Sequence, residues 1–282
     1  MKTVAYFNGA FGDFDTMTVP MSERSIYFGD AVYDAVLVLD GKAFTLDMHL
    51  DRLYNSCSLM NIDFTMERAE LNAEINKLLS LGCGGIEMLY VQVSRGNASR
   101  KHEFPENVRP NLLMFVKSIT LPSADKRASL LSMEDMRFKY CNIKTVNLLP
   151  NVFAAQKATE SGYTEAIMHR DGRVTEAAHS SILILKNGKV IMPPLDNLIL
   201  PGITRAVISQ ICEELGIPAE IREFTLDEVM DADEILLCST TKNVIFVYNI
   251  DGREVGGKDQ ETAKKIQELF LDKIYKETGV RL

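Results

Sequence analysis

The sequence predicts an α+β fold in two parts, from turn dipeptides, helical periodicity and one break in both patterns. Several segments repeat apolar residues at helical spacing, and a polar stretch with Pro122 interrupts the pattern at 118–125. We predict a small α/β domain at 1–118, a linker at 119–125 and a larger domain at 126–282. The dipeptides, typical of two-residue hairpin turns, are Asn8-Gly9, Asp40-Gly41, Asp171-Gly172, Asn187-Gly188 and Asp251-Gly252.

The N-terminal part is predicted to hold hairpins and two helices. Asp40-Gly41 joins two apolar strands, and Asp47 is expected to cap a helix with an apolar stripe. Thr65 is expected to cap a second helix. Residues 86–94 and 112–117 are predicted to be strands buried on both faces.

The C-terminal part is predicted to alternate strands and helices. Pro150 suits a helix start, while Gly162 and Gly216 suit helix ends. The predicted elements are a helix at 152–161, a hairpin of 182–186 and 189–192, a helix at 203–215, a strand at 244–250 and a helix at 259–276.

Composition excludes several classes of partner. With 46% hydrophobic and 25% charged residues, the chain of 282 residues is typical of globular proteins. Its net charge of −8 argues against nucleic acid or an anionic membrane as a partner. No segment has the length of a membrane span and no signal peptide is evident, so we expect a cytoplasmic protein.

Cysteines and histidines give no metal or disulfide pattern. The five cysteines contain no CxxC, and three of them lie in apolar runs and are predicted to be buried. The four histidines show no paired spacing, so we expect no zinc.

Lys144 is the first candidate for chemistry, because it lies in the largely apolar segment 141–149. An amine that loses its hydration is favoured in its neutral, nucleophilic form, which can form a Schiff base with a carbonyl. A solvated surface lysine is the alternative.

Two stretches could bind phosphate. Pro201-Gly202-Ile203-Thr204-Arg205 places glycine and a hydroxyl at a helix N-terminus. Ser239-Thr240-Thr241 places hydroxyls at a strand end. An ordinary helix start and an ordinary turn are the alternatives.

Four charged or titratable residues are further candidates. Arg100 and His102, in a basic loop, suit a substrate carboxylate, with a solvated turn as the alternative. Glu176 ends a short strand and means little alone. Helical periodicity assigns Arg52 to solvent.

Together these stretches resemble the class IV pyridoxal phosphate enzymes, most closely the D-amino acid aminotransferases. The matching motifs follow the family's order from about residue 4 to residue 275. They are Phe28-Gly29-Asp30-Ala31-Val32-Tyr33, His49-Leu50-Asp51-Arg52-Leu53, Arg95-Gly96, Arg100-Lys101-His102, Ile143-Lys144, Asn147-Leu148-Leu149, Val174-Thr175-Glu176, Pro201-Gly202-Ile203-Thr204-Arg205 and Ser239-Thr240-Thr241.

The resemblance implies a fold type IV homodimer with a pseudo-barrel in the larger domain and pyridoxal 5′-phosphate between the domains. It implies that Lys144 forms the Schiff base and shuttles the proton, and that Glu176 faces the pyridine nitrogen. Tyr33, Arg100 and His102 resemble the trap for the substrate carboxylate, the latter two reaching from the partner subunit. The remaining implied cofactor contacts are Arg52, Ile203, Thr204, Ser239 and Thr240 at the phosphate and Leu200 at the ring.

The predicted activity is transfer of the amino group of a D-amino acid, such as D-alanine, to a 2-oxo acid such as 2-oxoglutarate. The rivals are a branched-chain L-aminotransferase, an aminodeoxychorismate lyase and a degenerate, cofactor-free binding protein. The segment Ala177-Ala178-His179-Ser180-Ser181 departs from the family's usual Gly-Ser-Ser-Ser-Asn. Leu149 stands where the branched-chain members have tyrosine, which leaves the partner of the ring hydroxyl unassigned.

Overall fold

The computed structural model describes residues 3–282, which form two compact units. The first holds the residues up to Thr120 together with Ile143–Asn147, and the second holds Leu121–Asn142 and Leu148–Leu282. Both mix helices and strands, which confirms the predicted α+β fold class.

The placement of Lys144 differs from the predicted division, which assigned it to the C-terminal domain. Ile143–Asn147 packs with the first unit because its backbone pairs with the strand that begins at Ala31. Tyr33 N–H donates to the Lys144 carbonyl at 2.9 Å, and Val146 N–H donates to the Ala31 carbonyl at 3.1 Å. The bounds of the linker stay a prediction.

The first unit has a six-stranded antiparallel sheet of order β2-β1-β6-β5-β3-β4. Its elements are β1 (Val4–Phe7), β2 (Ala10–Asp13), α1 (Arg24–Phe28), β3 (Ala31–Leu39), β4 (Lys42–Ala43), α2 (Leu46–Leu59), α3 (Arg68–Ser80), β5 (Ile86–Ser94) and β6 (Asn111–Ser118).

The core of the first unit joins one face of the sheet to α2 and α3. Leu89, Val91 and Val93 of β5 belong to the same buried cluster as Leu53 of α2 and Ile75 of α3. The intervening residues of β5 are only half-buried. The prediction that this strand is buried on both faces was therefore wrong, because burial alternates along it as in a sheet with one covered face.

The second unit has a nine-stranded mixed sheet of order β12-β11-β10-β13-β14-β7-β8-β9, with β15 paired to β14. Its elements are β7 (Arg127–Glu134), α4 (Leu149–Glu160), β8 (Glu165–Arg170), β9 (Arg173–Ala177), β10 (Ser181–Lys186), β11 (Lys189–Met192), α5 (Ile203–Leu215), β12 (Ala219–Ile221), α6 (Leu226–Met230), β13 (Glu234–Ser239), β14 (Asn243–Ile250), β15 (Arg253–Glu254) and α7 (Gln260–Thr278).

All five Asx-Gly dipeptides form the predicted turns. Both residues of each have positive φ, for example 50° at Asn187 and 69° at Gly188 between β10 and β11. This is the conformation that a two-residue hairpin turn of type I′ requires.

Helix ends were predicted less well than helix bodies. Gly216 ends α5 in the left-handed region, as predicted. Thr45 rather than Asp47 precedes α2, and Glu67 rather than Thr65 precedes α3. Neither Thr45 nor Glu67 makes a side-chain capping hydrogen bond, so no polar capping pattern marks these starts.

The thiols follow the apolar pattern of the sequence. All five cysteines are free, and Cys57, Cys212 and Cys238 are buried. Within residues 3–282, no helix is long and apolar enough to cross a membrane, and no group of three acidic, histidine or cysteine side chains is arranged to hold a metal ion.

Candidate functional site

Lys144 lies in a segment whose backbone is fixed against β3 and α2. Besides the bond from Tyr33, the Lys144 N–H donates to Ser56 Oγ of α2 at 3.4 Å. The ammonium Nζ lies 4.4 Å from the centroid of the Tyr33 ring. The structure thus fixes the backbone of this half-buried lysine and places its amine over an aromatic face.

Asn147 ties the same segment to the turn before β3. Its Nδ2 donates to the Gly29 carbonyl at 2.8 Å and to Thr145 Oγ1 at 2.7 Å. Gly29 has φ of 61°, and a Cβ there would collide with Asn147 Oδ1. Only glycine allows this close approach.

Arg52 is buried rather than solvated, so the prediction from helical periodicity was wrong. Its Nε and Nη2 donate to Asp34 Oδ2 and Oδ1 at 2.9 and 2.7 Å. His49 Nδ1 lies 2.7 Å from Asp34 Oδ1. A carboxylate on β3 gives the polar side of α2 a buried partner, which helical spacing alone does not reveal.

Asp34, His49 and Arg52 change one another's tendency to ionise. Burial raises the pKa of Asp34, but the Arg52 cation and the hydrogen bonds with His49 and Arg52 outweigh it and hold the pKa well below its usual value. Burial lowers the pKa of His49, against the pull of Asp34 and with help from Arg52 and Lys144. The Asp34 carboxylate is therefore the counter-charge of Arg52.

Arg100 and His102 meet on the ring of Phe28. The Arg100 guanidinium carbon lies 5.2 Å from the ring centroid of Phe28, and the His102 ring centroid lies 5.2 Å from it as well. Both side chains are exposed. Tyr33, the third predicted member of the carboxylate trap, stacks on Tyr90 with centroids 5.4 Å apart.

Two buried arginines hold the backbone around this loop. Arg24 Nη1 donates to the Lys101 carbonyl at 2.9 Å. The Nε atoms of Arg24 and Arg95 both donate to Asp30 Oδ2, at 2.7 and 2.8 Å. The loop that presents Arg100 and His102 is thus anchored at its centre.

Glu176, the last but one residue of β9, is buried and paired with Arg137. Arg137 Nη1 donates to Glu176 Oε1, and Leu200 N–H donates to Oε2 at 3.3 Å. Burial raises the pKa of Glu176, and the Arg137 cation opposes this rise. Of the predicted ring contacts, the structure therefore brings Glu176 and Leu200 together.

Arg137 is a functional candidate that the sequence reasoning missed. Burial lowers its pKa, but Glu176 and Asp135 raise it by more than burial lowers it, so Arg137 stays charged. It donates to Asp135 from Nε at 3.0 Å and from Nη2 at 2.8 Å. No motif marks Arg137, because its partner Glu176 lies 39 residues further along the chain. The sequence shows only that Asp135 stands two residues before it, and not that both residues are buried.

Four of the five predicted phosphate positions lie at the start of α5 and the end of β13, which pack against each other. Gly202 precedes α5, and a Cβ there would lie 2.7 Å from Ser181 Oγ. Thr204 is buried in the first turn, next to the helix N–H groups that lack intrahelical partners. Within residues 3–282, the buried Ser239 Oγ has no hydrogen-bond partner.

These features fit an anionic group. A buried hydroxyl without a partner is costly and calls for an acceptor or donor from outside the protein. A helix N-terminus favours an anion through its dipole and its N–H groups. Ser239 and the start of α5 supply both.

Known proteins are similar to this chain over most of its length. A family model described as amino-transferase class IV matches residues 31–250. The D-alanine aminotransferase of Bacillus licheniformis is 37% identical over 276 residues, covering 97% of this chain and 98% of that protein. The D-alanine aminotransferase of Staphylococcus haemolyticus is 37% identical over 275 residues, covering 95% and 96%.

A solved structure shows the same fold. The branched-chain amino acid aminotransferase from Escherichia coli superposes with a TM-score of 0.88. The match covers 99% of this chain and 95% of that one at 20% identity. The predicted fold type IV is confirmed by this likeness.

Proposed function

Since the chain belongs to the class IV aminotransferases, we propose that it transfers the amino group of a D-amino acid, such as D-alanine, to a 2-oxo acid, such as 2-oxoglutarate. The observation that carries this function is the likeness to D-alanine aminotransferases over nearly the whole chain, at 37% identity. The branched-chain enzyme is similar at only 20% identity, which supports the fold and not its substrate.

The cofactor of this proposal is pyridoxal 5′-phosphate, which supplies an electron sink for the bond broken at the substrate Cα. Ser239, Thr240, Ile203 and Thr204 would hold its phosphate. The partnerless Ser239 hydroxyl and the N-terminus of α5 support this assignment.

Arg52 would add a cation to the same phosphate, as the resemblance to the class IV family implies. The guanidinium is held by Asp34 through two parallel hydrogen bonds, at 2.7 and 2.9 Å. This pairing holds the guanidinium in a fixed orientation.

Glu176 would face the pyridine nitrogen, with Leu200 against the ring. An ionised carboxylate at that nitrogen keeps it protonated. Arg137 favours the ionised form of the otherwise buried Glu176. The Arg137 cation therefore favours the anionic form of Glu176 that this role requires.

Lys144 would hold the cofactor covalently through Nζ until the substrate amine displaces it, and the freed amine would then accept the proton from the substrate Cα. The fixed backbone of Lys144 and the position of Nζ over Tyr33 support this role, because both limit where the amine can lie. Arg100 and His102, contributed by the partner subunit, would bind the substrate carboxylate together with Tyr33 and so set which face of Cα the lysine meets.

A homodimer is part of the proposal, and exposed apolar side chains support it. Six large apolar residues from the loop after β7 and the first turns of α4 are each more than half exposed. Such exposure marks surfaces that bind partners. These residues are Met136, Phe138, Tyr140, Leu149, Val152 and Phe153. A cytoplasmic location stays a prediction.

The decisive experiment offers the purified protein single enantiomers with 2-oxoglutarate. D-Alanine should yield pyruvate and glutamate, whereas L-valine should react at least tenfold more slowly. Faster turnover of L-valine would identify a branched-chain enzyme, and pyruvate formed from aminodeoxychorismate without an amino acceptor would identify a lyase. Borohydride should bleach the bound cofactor and fix it to the peptide that contains Lys144.

A further inference from the structure

A buried carboxylate, Glu165, gathers a lysine, a histidine and a hydroxyl at one end of the nine-stranded sheet. Lys242 Nζ donates to Glu165 Oε2 at 2.6 Å and lies 3.0 Å from His179 Nδ1. Ser180 Oγ donates to Oε2 at 2.9 Å, and the His179 N–H donates to Oε1 at 2.7 Å. We call Glu165, His179, Ser180 and Lys242 the Glu165 cluster.

The residues of the Glu165 cluster come from three places in the chain that meet at this end of the sheet. Glu165 begins β8, His179 and Ser180 lie between β9 and β10, and Lys242 lies between β13 and β14. The Glu165 side chain is 0% exposed and that of Lys242 is 16% exposed. A lysine at a turn between two strands would ordinarily point into water, so this placement is built by its buried partner.

The turn that carries Lys242 is short and closes directly on Ser239. The Lys242 N–H donates to the Ser239 carbonyl at 3.2 Å, and Ser239 pairs with Asn243 across the hairpin. Asn243 has φ of 56°, which completes the tight connection. Holding the Lys242 side chain therefore limits where Ser239 and Thr240 can move.

The charge of Glu165 also reaches this turn. Burial raises the pKa of the Cys238 thiol to about 12; the Arg205 cation opposes that rise, and the negative charge of Glu165 adds to it. Cys238 is the residue before Ser239. An unneutralised Glu165 would oppose an anion at Ser239 as well, because charges interact strongly where water is excluded.

We propose that Lys242, held by Glu165, is a positioning residue that sets the Ser239–Thr240 turn and neutralises Glu165, so that the turn can bind the phosphate of the cofactor. The inference rests on the proposed function, which assigns a phosphate to Ser239 and Thr240. Lys242 acts through the turn and through Glu165 and does not itself touch the phosphate.

The test compares two ligands of the cofactor-free protein, pyridoxal 5′-phosphate and pyridoxal, which lacks the phosphate. Lys242→Met should raise the Kd of pyridoxal 5′-phosphate by about tenfold and that of pyridoxal by less than about twofold, as followed by absorbance. Lys242→Arg, which keeps the charge, should restore most of the affinity. Lys265→Met, which removes an exposed ion pair with Glu261 on α7, should change neither Kd.

The double variant Glu165→Gln/Lys242→Met tests the electrostatic part. It removes both charges, so it should bind pyridoxal 5′-phosphate more tightly than Lys242→Met alone. Thermal unfolding of each cofactor-free variant reports loss of fold, and Lys242→Gln replaces Lys242→Met if the latter does not fold.

Three results would overturn the inference. Lys242→Met could bind pyridoxal 5′-phosphate as the wild type does, or it could lose affinity for both ligands equally, which indicates a purely structural role. Failure of the wild type to bind pyridoxal 5′-phosphate at all would refute the proposed function, and the inference with it. That last result differs visibly from the first two, in which the wild type binds.

Discussion

The Arg137 guanidinium is paired with the buried carboxylate of Glu176, and Asp135 holds Arg137 from its other side. The cation is thus shared between two acids. Asp135 also accepts a hydrogen bond from Thr175 Oγ1 at 2.8 Å. Asp135 orients the guanidinium, and the guanidinium sets the charge of Glu176. Replacement of either acid should therefore be felt at the other.

We predict that Arg137→Met lowers activity by about tenfold or more, because one pKa unit is a tenfold change in the ratio of the ionised to the neutral form. Burial already raises the pKa of Glu176, and Arg137 is the main group that opposes it. Without that cation, the pKa of Glu176 should rise further, which favours the neutral form and weakens its hold on a proton at the pyridine nitrogen. Absorbance of the bound cofactor against pH should show a shifted transition.

Arg170→Met is the matched control for Arg137. Arg170 Nη2 lies 3.4 Å from Asp135 Oδ1, so the variant disturbs the same acid without removing the partner of Glu176. If both variants gave the same pH profile, the assigned role of Arg137 would be wrong.

Asp34→Asn should destabilise the protein at neutral pH by about 3–5 kcal/mol, because it leaves the buried Arg52 without its counter-charge. The folded pKa of Asp34 lies below its unfolded value, so its ionisation stabilises the fold above the unfolded pKa of about 4. This contribution is lost as the pH falls through that value toward the folded pKa.

The measurement is urea unfolding of the wild type and Asp34→Asn between pH 7 and pH 3. The difference in unfolding free energy between them should shrink at the acid end. Asp47→Asn, at an exposed carboxylate beside Arg68, should unfold like the wild type at every pH. A constant difference across the range would contradict the pKa assigned to Asp34.

The sequence predicted elements and motifs better than partners. Hairpin turns and the end of α5 follow from local backbone needs, which residues such as Asn187, Gly188 and Gly216 reveal directly. The burial of Arg52 and the role of Arg137 depend on Asp34 and Glu176, which come from other strands. Pairing between distant residues leaves no periodic trace, so those contacts required the structure.

Lys144→Ala should reduce turnover by about 10²–10⁴, since that is the usual contribution of a positioned proton-transfer group. The variant should also lose borohydride fixation of the cofactor. Stopped-flow measurement of a single half-reaction with D-alanine separates the proton step from product release. Lys265→Ala, an exposed lysine on α7, is the control, and normal turnover of the Lys144 variant would refute the assigned base.

Arg100→Ala should raise KM for D-alanine by about 10–100-fold, because hydrogen bonds to charged groups contribute about 1.5–3 kcal/mol. The absorbance of the bound cofactor should stay unchanged, since the proposal gives Arg100 no contact with the cofactor. Lys101→Ala is the control, because Arg24 binds only the main-chain carbonyl of that residue. Loss of the cofactor on Arg100→Ala would indicate a structural role for the loop.

Gly29→Ala should destabilise the protein and also slow the reaction, because Gly29 meets Asn147 in the segment that carries Lys144. Its φ of 61° costs an alanine about 1–2 kcal/mol, and a Cβ would also collide with Asn147 Oδ1. Gly216→Ala is a matched control, since Gly216 has φ of 65° and a Cβ added there would meet nothing within 4 Å. Both variants should lose unfolding free energy in urea, but only Gly29→Ala should lower kcat and weaken borohydride fixation at Lys144. Equal effects of the two substitutions on kcat would mean that the Gly29–Asn147 contact does not position the lysine.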